Sequence, residues 1–481
     1  MKKLLHLLTA NLKYLLLFYF LLQLSLLLKF PITYSSDSGY YFKLAEDCVA
    51  QHAIYPLPQH LYEDYVIAPL YINVLTFLLL ISNSSITIGL FNIVLNFVQL
   101  YLLFRIAEQL AGEEAAKIAV ILYMLYLNNL GLILVNLSDM FFTTLIMGSI
   151  WFWLCAEEPP ALKNIFRFWF LFRLNSSSGN DTQKQVTAKS AVMQTSFGTN
   201  VSLCMSGFLC AASIAVRPVG WALALAYVIM YGIRFFGRQK TLNDAAVIFS
   251  GFGTFVLLFG IMVKLSFGEP VFSSDNGPLN ILIGANDRAN GAYQESVLEP
   301  GGIGYIPESS KLTYHQKQEI WKDAAYAWIT HHPVKWILLM PGKIVHIFVW
   351  DDIAVSRLVS PDYNLYKFAK GIVTGNADAN GRNTLSSTQF ALWCVLQVID
   401  HLFYYLVMCI FIFGLVKHLP DWFRDMNLCL LLLFVVIGIG ITITAFGDAR
   451  YKYPYMFIFF LFDAILIVKW IKGGRVFPYL V

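Results

Sequence analysis

Charge is what this chain has least of. Only 13% of its 481 residues are Asp, Glu, Lys or Arg, against 58% hydrophobic, and the mean hydropathy is +0.61. That scarcity excludes a soluble fold of this length, which needs far more polar surface. The net charge of +4 carries no stripe of basic residues interleaved with aromatics, so nothing points to nucleic acid. Cysteine is also sparse. Of seven, Cys155, Cys204, Cys210, Cys394, Cys409 and Cys429 fall in or beside apolar runs and Cys48 stands apart, which is neither a disulfide framework nor a metal pattern. The adjacent His331 and His332 project apart on a helix and share no metal. No internal repeat is present.

What the chain has instead is long apolar runs. A stretch of roughly 20 such residues spans a bilayer as a helix. Ten runs qualify, at about 12–30, 86–106, 115–135, 138–155, 202–216, 219–236, 245–266, 389–417, 426–446 and 449–471. Two more, 66–82 and 336–350, are ambiguous. The start, Met1-Lys2-Lys3 and then leucines, resembles a signal peptide. Its apolar run is too long and lacks a small-x-small cleavage site, so it reads as an uncleaved anchor. The expected fold is an all-α polytopic membrane protein, one integral-membrane domain over 1–481 with about 10–12 spanning helices.

Parity orients it. If neither ambiguous run crosses, then both termini, 105–117, 156–201, 234–244 and 417–425 share one side. That side gathers Lys2, Lys3, Arg105, Lys117, Arg167, Arg173, Arg234, Arg238, Lys417, Arg424, Lys469 and Lys472, as a cytoplasmic face requires. Runs 66–82 and 336–350 then read as interfacial or re-entrant helices on the outer side. The outer face receives a loop from 31 to 85, tight turns near Asp139, Arg217 and 447–450, and a large region from 267 to 388. The insert 156–201 pairs an aromatic anchor, Phe166 to Arg173, with a polar stretch from Ser176 to Lys189.

Local signals refine the outer segments. Tyr41, Leu44, Ala45, Cys48 and Val49 fall on one face of a helix over 39–52, which Ser36 or Asp37 would cap. Thr313 and Gln316 form a capping box that opens a helix running to His332 before Pro333. The stretches 286–291, 300–302 and 376–383 are turn chemistry.

Several charged residues stand at the ends of apolar runs, each with an ordinary explanation beside a functional one. Asp37 and Asp139 sit where helices begin and suit caps as well as catalysis. Arg217, before Pro218 in an apolar stretch, needs a partner or must snorkel. Arg450 and Lys452, in Gly447-Asp448-Ala449-Arg450-Tyr451-Lys452-Tyr453-Pro454, suit either an interhelix turn or phosphate binding, Arg as a fork and Lys as a point charge. Lys343 fits snorkelling, and Glu63 and Asp64 fit solvated caps. Taken together, acids and cations gather on the outer face. The inner halves of the helices are nearly free of charge, which argues against the main alternative, a lipid or glycan transporter or flippase. A non-catalytic assembly partner is the third possibility.

The order Asp37-Ser38-Gly39-Tyr40-Tyr41 with Tyr55-Pro56, then Leu137-Ser138-Asp139, Val216-Arg217-Pro218 and Gly447-Asp448-Ala449-Arg450-Tyr451 with Pro454, resembles the GT-C superfamily of polyprenyl-phosphate-sugar glycosyltransferases. It looks most like the bacterial branch of protein O-mannosyltransferases and the aminoarabinose transferase that acts on lipid A. The resemblance implies a GT-C-like bundle with outer juxtamembrane helices in the bacterial inner membrane. It implies a sugar donor on a polyprenyl phosphate and a lipid, glycan or protein acceptor on the periplasmic side. Asp37 is the implied general base and Asp139 an orienting acid. Arg217, Arg450, Lys343 and Lys452 are the implied phosphate ligands, and Tyr40, Tyr41 and Tyr451 line the substrate. Some relatives use a divalent cation, but this sequence offers no clear ligand set for one. Two departures stand out: Ser38 follows Asp37 where O-mannosyltransferases carry an Asp-Glu pair, and the chain ends soon after its last helix, without an appended soluble domain.

Overall fold

The computed structural model describes residues 7–30, 32, 34, 37–157, 188–236, 242–359 and 386–472. The cap at Ser36, the anchor Phe166 to Arg173 and the loop 376–383 lie outside the described residues. The elements are helices α1 (Leu12–Lys29), α2 (Asp37–Ala50), α3 (Pro69–Ile81), α4 (Ser85–Ala111), α5 (Glu113–Leu125), α6 (Leu127–Leu132), α7 (Asp139–Glu157), α8 (Ala188–Ile214), α9 (Trp221–Phe236) and α10 (Leu242–Phe267). Then come α11 (Gly277–Ile283), α12 (Tyr314–His331), α13 (Pro333–Phe348), α14 (Ser387–Arg424), α15 (Met426–Thr444) and α16 (Met456–Lys472). No strand occurs among the described residues. The chain is an all-α polytopic membrane protein.

Among the described residues, eight helices are long and apolar enough to cross a membrane: α1, α4, α7, Pro218–Phe236, α10, α14, α15 and Ala449–Lys472. The other two expected spans take different forms. The run 202–216 lies in the 27-residue helix α8, which is apolar from Gly198 onward. The run 115–135 breaks at Tyr126, whose backbone is extended. Two asparagines fasten the break. Asn129 donates to the Tyr123 carbonyl at 2.8 Å, which irregular backbone in an apolar setting would otherwise leave bare. Asn128 bonds the backbone of Asp351, Ile353 and Ala354 at 2.8–3.0 Å and so ties the break to that segment. The ambiguous runs form α3 and α13, with 13 and 16 residues.

Core packing follows residue pattern. Helix α16 is buried on every side from Met456 to Leu466, as a helix apolar all round should be. In α10 the buried residues Ile248, Gly251, Phe255, Phe259 and Val263 trace one stripe, and the rest faces outward. Helices α8 and α10 cross so closely that a Cβ on Gly251 would lie 2.0 Å from the Cys204 carbonyl oxygen, and one on Gly207 1.8 Å from that of Ile248. Small residues permit such approaches between membrane helices. Gly251→Val is therefore expected to force the pair apart and cost about 1–3 kcal/mol or more. A melting temperature equal to wild type in detergent would count against this crossing.

The outer segments are fastened together. Thr313 caps α12 with the expected capping box. Lys317 on α12 is buried and donates to the carbonyls of Tyr62 and Glu63 and to the Asp64 carboxylate, 2.8–3.2 Å away. Asp64 is thus an anchor for the first outer loop and Glu63 accepts from Tyr40 at 3.2 Å, a firmer role for both than solvated caps. Asp275 accepts from the Val66 amide at 2.9 Å.

Candidate active site

The first helical residue of α2 is Asp37, and its carboxylate is half-exposed. The start of this helix is held by Asn136, which donates to the Ser38 carbonyl at 3.2 Å while accepting from Tyr71 at 2.8 Å. Leu44, Ala45 and Cys48 bury the other end of the expected apolar face. Tyr55 shapes the adjoining wall: its hydroxyl accepts from the Ile67 amide at 2.9 Å, and its backbone pairs with Asn73 at 2.8 and 3.0 Å.

Arg217 follows the end of α8. It precedes a proline, which excludes helical backbone, and it is extended at φ −152°, ψ 132°. That bend aims its guanidinium back toward the start of α7. Arg450 lies on a 3-10 helix, Ala449–Tyr455, capped by Asp448, whose carboxylate accepts from the Arg450 amide at 2.8 Å.

These three elements meet in one chain of charges. Arg450 Nη1 is 2.7 Å from Asp37 Oδ2, and its Nε is 2.7 Å from Asp139 Oδ2. Arg217 Nη1 is 2.7 Å from Asp139 Oδ1, and its Nε donates to Ser138 Oγ at 3.0 Å. Residues 78 and 311 positions from Asp139 thus share its carboxylate. Burial works against charge on Asp37, but the Arg450 guanidinium, with help from Arg217, holds its carboxyl below the usual carboxylate range. Arg450 keeps one buried nitrogen, Nη2, with no hydrogen-bond partner among the described residues.

Beside this chain lies a cavity of about 400 Å³. Asp37, Arg217, Arg450, Ser138, Tyr40, Tyr41, Tyr65 and Tyr451 form its polar wall, and Ile67, Val216, Val219, Ile441 and Pro454 an apolar one. Ser274, Asn276 and Asn280 close it from the large outer region. Six of the residues implied by resemblance therefore line one space: Asp37, Arg217, Arg450, Tyr40, Tyr41 and Tyr451.

Three others are placed elsewhere. Asp139 is fully buried behind the wall, so it orders the two arginines rather than facing the cavity. Lys343 is buried beside the cavity, 3.5 Å from the carbonyl of the lining residue Thr444, with no carboxylate within ion-pair distance among the described residues. Burial pulls its ammonium down to about 8. Lys452 points away from the cavity into a dry cluster with Asp351. Arg450 and Lys452 are two positions apart on a helix of about three residues per turn, so they face different sides.

The sequence alone singles out neither Asp351 nor Asp400, and it shows inner helix halves nearly free of charge. In fact Asp400 and Asp463 are fully buried inside α14 and α16. A carboxylate inside an apolar run is itself the signal that could have found them. The residues do not fit a divalent cation. Both carboxylates of the charge chain are engaged by guanidinium groups, and no three His, Cys, Asp or Glu side chains gather among the described residues.

No protein-family model matches the chain, and no curated protein matches it. Solved structures do. The Archaeoglobus fulgidus oligosaccharyltransferase in its apo form is 13% identical with a TM-score of 0.47, over 95% of this chain and 50% of that one. The same archaeal protein, AglB, in complex with an inhibitory peptide and a dolichol-phosphate gives 13% and 0.47, over 96% and 52%. ArnT from Cupriavidus metallidurans in the apo state gives 12% and 0.40, over 93% and 78%. The chain spans about half the length of the archaeal structures, and its structural neighbours thus include an oligosaccharyltransferase and an aminoarabinose transferase.

Proposed function

We propose that this chain is an inverting glycosyltransferase that moves a sugar from a polyprenyl phosphate to an acceptor hydroxyl. The observation that carries the proposal is the meeting of the Asp37 carboxylate with the Arg217 and Arg450 guanidinium groups on the wall of one cavity. A carboxylate can take the acceptor's proton as it attacks the anomeric carbon. The lipid phosphate that leaves gathers negative charge, which preorganised cations stabilise.

The charge count gives the order of events. Asp37 and Asp139 balance Arg217 and Arg450, so the chain of charges is neutral without donor. An arriving phosphate competes with Asp37 for Arg450. Donor binding therefore frees the base. Lys343, which has no acidic partner among the described residues, adds positive charge. The apolar wall takes the first isoprene units and the rest of the chain stays in the bilayer. On this reading the termini lie in the cytoplasm, where the basic residues gather, and the cavity faces the periplasmic side of a bacterial inner membrane.

The test is transfer by purified chain in lipid nanodiscs, with polyprenyl-phosphate hexoses and pentoses and with envelope glycan, lipid A or protein acceptors. Release of polyprenyl phosphate coupled to acceptor modification is expected. Donor affinity should be greatest at neutral pH and fall as pH rises through about 8, because depression of Lys343 means that it loses its charge there. Substrate flux across vesicles without donor consumption would instead support a flippase and overturn the proposal.

A further inference from the structure

Lys452 and Asp351 form an ion pair of 3.0 Å, and both side chains are fully buried. The Lys452 ammonium also donates to the carbonyls of Ile347 at 3.2 Å, Trp350, and Ala449 at 3.3 Å. Ile347 lies in the last turn of α13, where helical carbonyls lack partners and a cation is favoured, and Trp350 lies two residues past its end. Asp351 is held in turn. Tyr126 donates to its Oδ1 at 2.9 Å, and Asn128 donates to its carbonyl at 2.8 Å. Asn128 bridges onward to Asp400 on α14 at 3.4 Å.

A dry ion pair is a poor source of stability, because desolvation offsets the attraction. Its geometry is what stands out here. Lys452 sits two residues after Arg450, and Asp351 eight residues after Lys343. The pair ties the 3-10 helix that carries Arg450 to the end of the helix that carries Lys343 beside the cavity.

We propose that Lys452 is a positioning residue. Locked to Asp351 and to the end of α13, it sets the depth and direction from which Arg450 and Lys343 approach the donor phosphate. This rests on the functional reading above, in which those two cations hold that phosphate.

The experiment measures binding of farnesyl phosphate, with inorganic phosphate as a second ligand, to full-length protein in nanodiscs. Lys452→Met alone strands a buried carboxylate and can simply misfold. The informative variant is Asp351→Asn with Lys452→Met, which removes both charges and leaves Tyr126 an acceptor. Its melting temperature should stay near wild type while farnesyl phosphate binds about tenfold more weakly, the scale of one lost hydrogen bond to a charged group. Arg450→Gln should weaken binding to a similar degree, and adding it to the double variant should cost little more, since residues acting through one another are not additive. If only farnesyl phosphate shows these losses, the lipid tail is part of recognition. If inorganic phosphate shows them too, the headgroup suffices. Either pattern supports positioning. Fully additive losses, wild-type affinity in the double variant, or its collapse in yield and melting temperature would overturn the role of Lys452. Wild-type protein that binds neither ligand, or Arg450→Gln that binds like wild type, would instead remove the functional reading beneath it.

Discussion

Asp37→Asn is expected to lose sugar transfer by about 10²–10⁴-fold, the contribution of a positioned general base, while the protein folds normally. The side chain is half-exposed, and its recorded partner is Arg450. Ion pairs at such positions contribute about 0–1 kcal/mol to stability, and Asn retains the oxygen that accepts from Arg450. What Asn lacks is the ability to accept a proton. Because Arg450 holds the carboxyl below its ordinary range, the base is ionised throughout the neutral region. The acid limb of the kcat/KM profile, which reports the donor-free enzyme, should therefore lie below about pH 4, the usual carboxylate value. Single-turnover transfer with purified variant, alongside a melting curve, checks both halves. Full activity in Asp37→Asn would remove Asp37 as the base.

Asp139→Asn is expected to fail differently, by destabilising the bundle as well as stopping the reaction. Asp139 is fully buried, and both of its oxygens meet guanidinium groups at 2.7 Å. Neutralising it leaves two confined arginines facing each other with only the half-exposed Asp37 to offset them. Breaking a buried pair on one side costs about 3–5 kcal/mol, a large share of the 5–15 kcal/mol that keeps a typical domain folded. Low yield and a sharply lowered melting temperature should follow. Asp139→Glu keeps the charge but moves it, so it should fold better and still transfer sugar poorly. An Asp139→Asn protein as stable as wild type would show that the arginines do not depend on this carboxylate.

These two acids separate what a chain can disclose from what it cannot. In sequence they are alike, each at the start of a helix beside serine. Only packing makes one a half-exposed wall residue and the other a buried brace. The same holds for Arg450 and Lys452, equal candidates as residues of one short turn. Backbone of about three residues per turn sends the first to the cavity and the second into a dry cluster. Asp351 gains its meaning only from Lys452, a partner 101 positions along the chain, whereas Asp400 stands out locally as a carboxylate inside an apolar run.

By itself the sequence determined that this is a helical membrane protein, where most of its spans run, and where α12 begins. Those features follow from transfer free energies and capping chemistry, which are summed over neighbours in the chain. It also supplied the residues of the charged motifs. Tertiary structure decided which of them share a cavity and which cations already have their counter-charge. It also broke the run 115–135 at Tyr126, where the Asn129 amide takes the Tyr123 carbonyl and Asn128 holds the distant segment at Asp351. Those outcomes depend on contacts between segments up to 413 positions apart, as between Asp37 and Arg450, and no local rule of hydropathy or capping reaches that far.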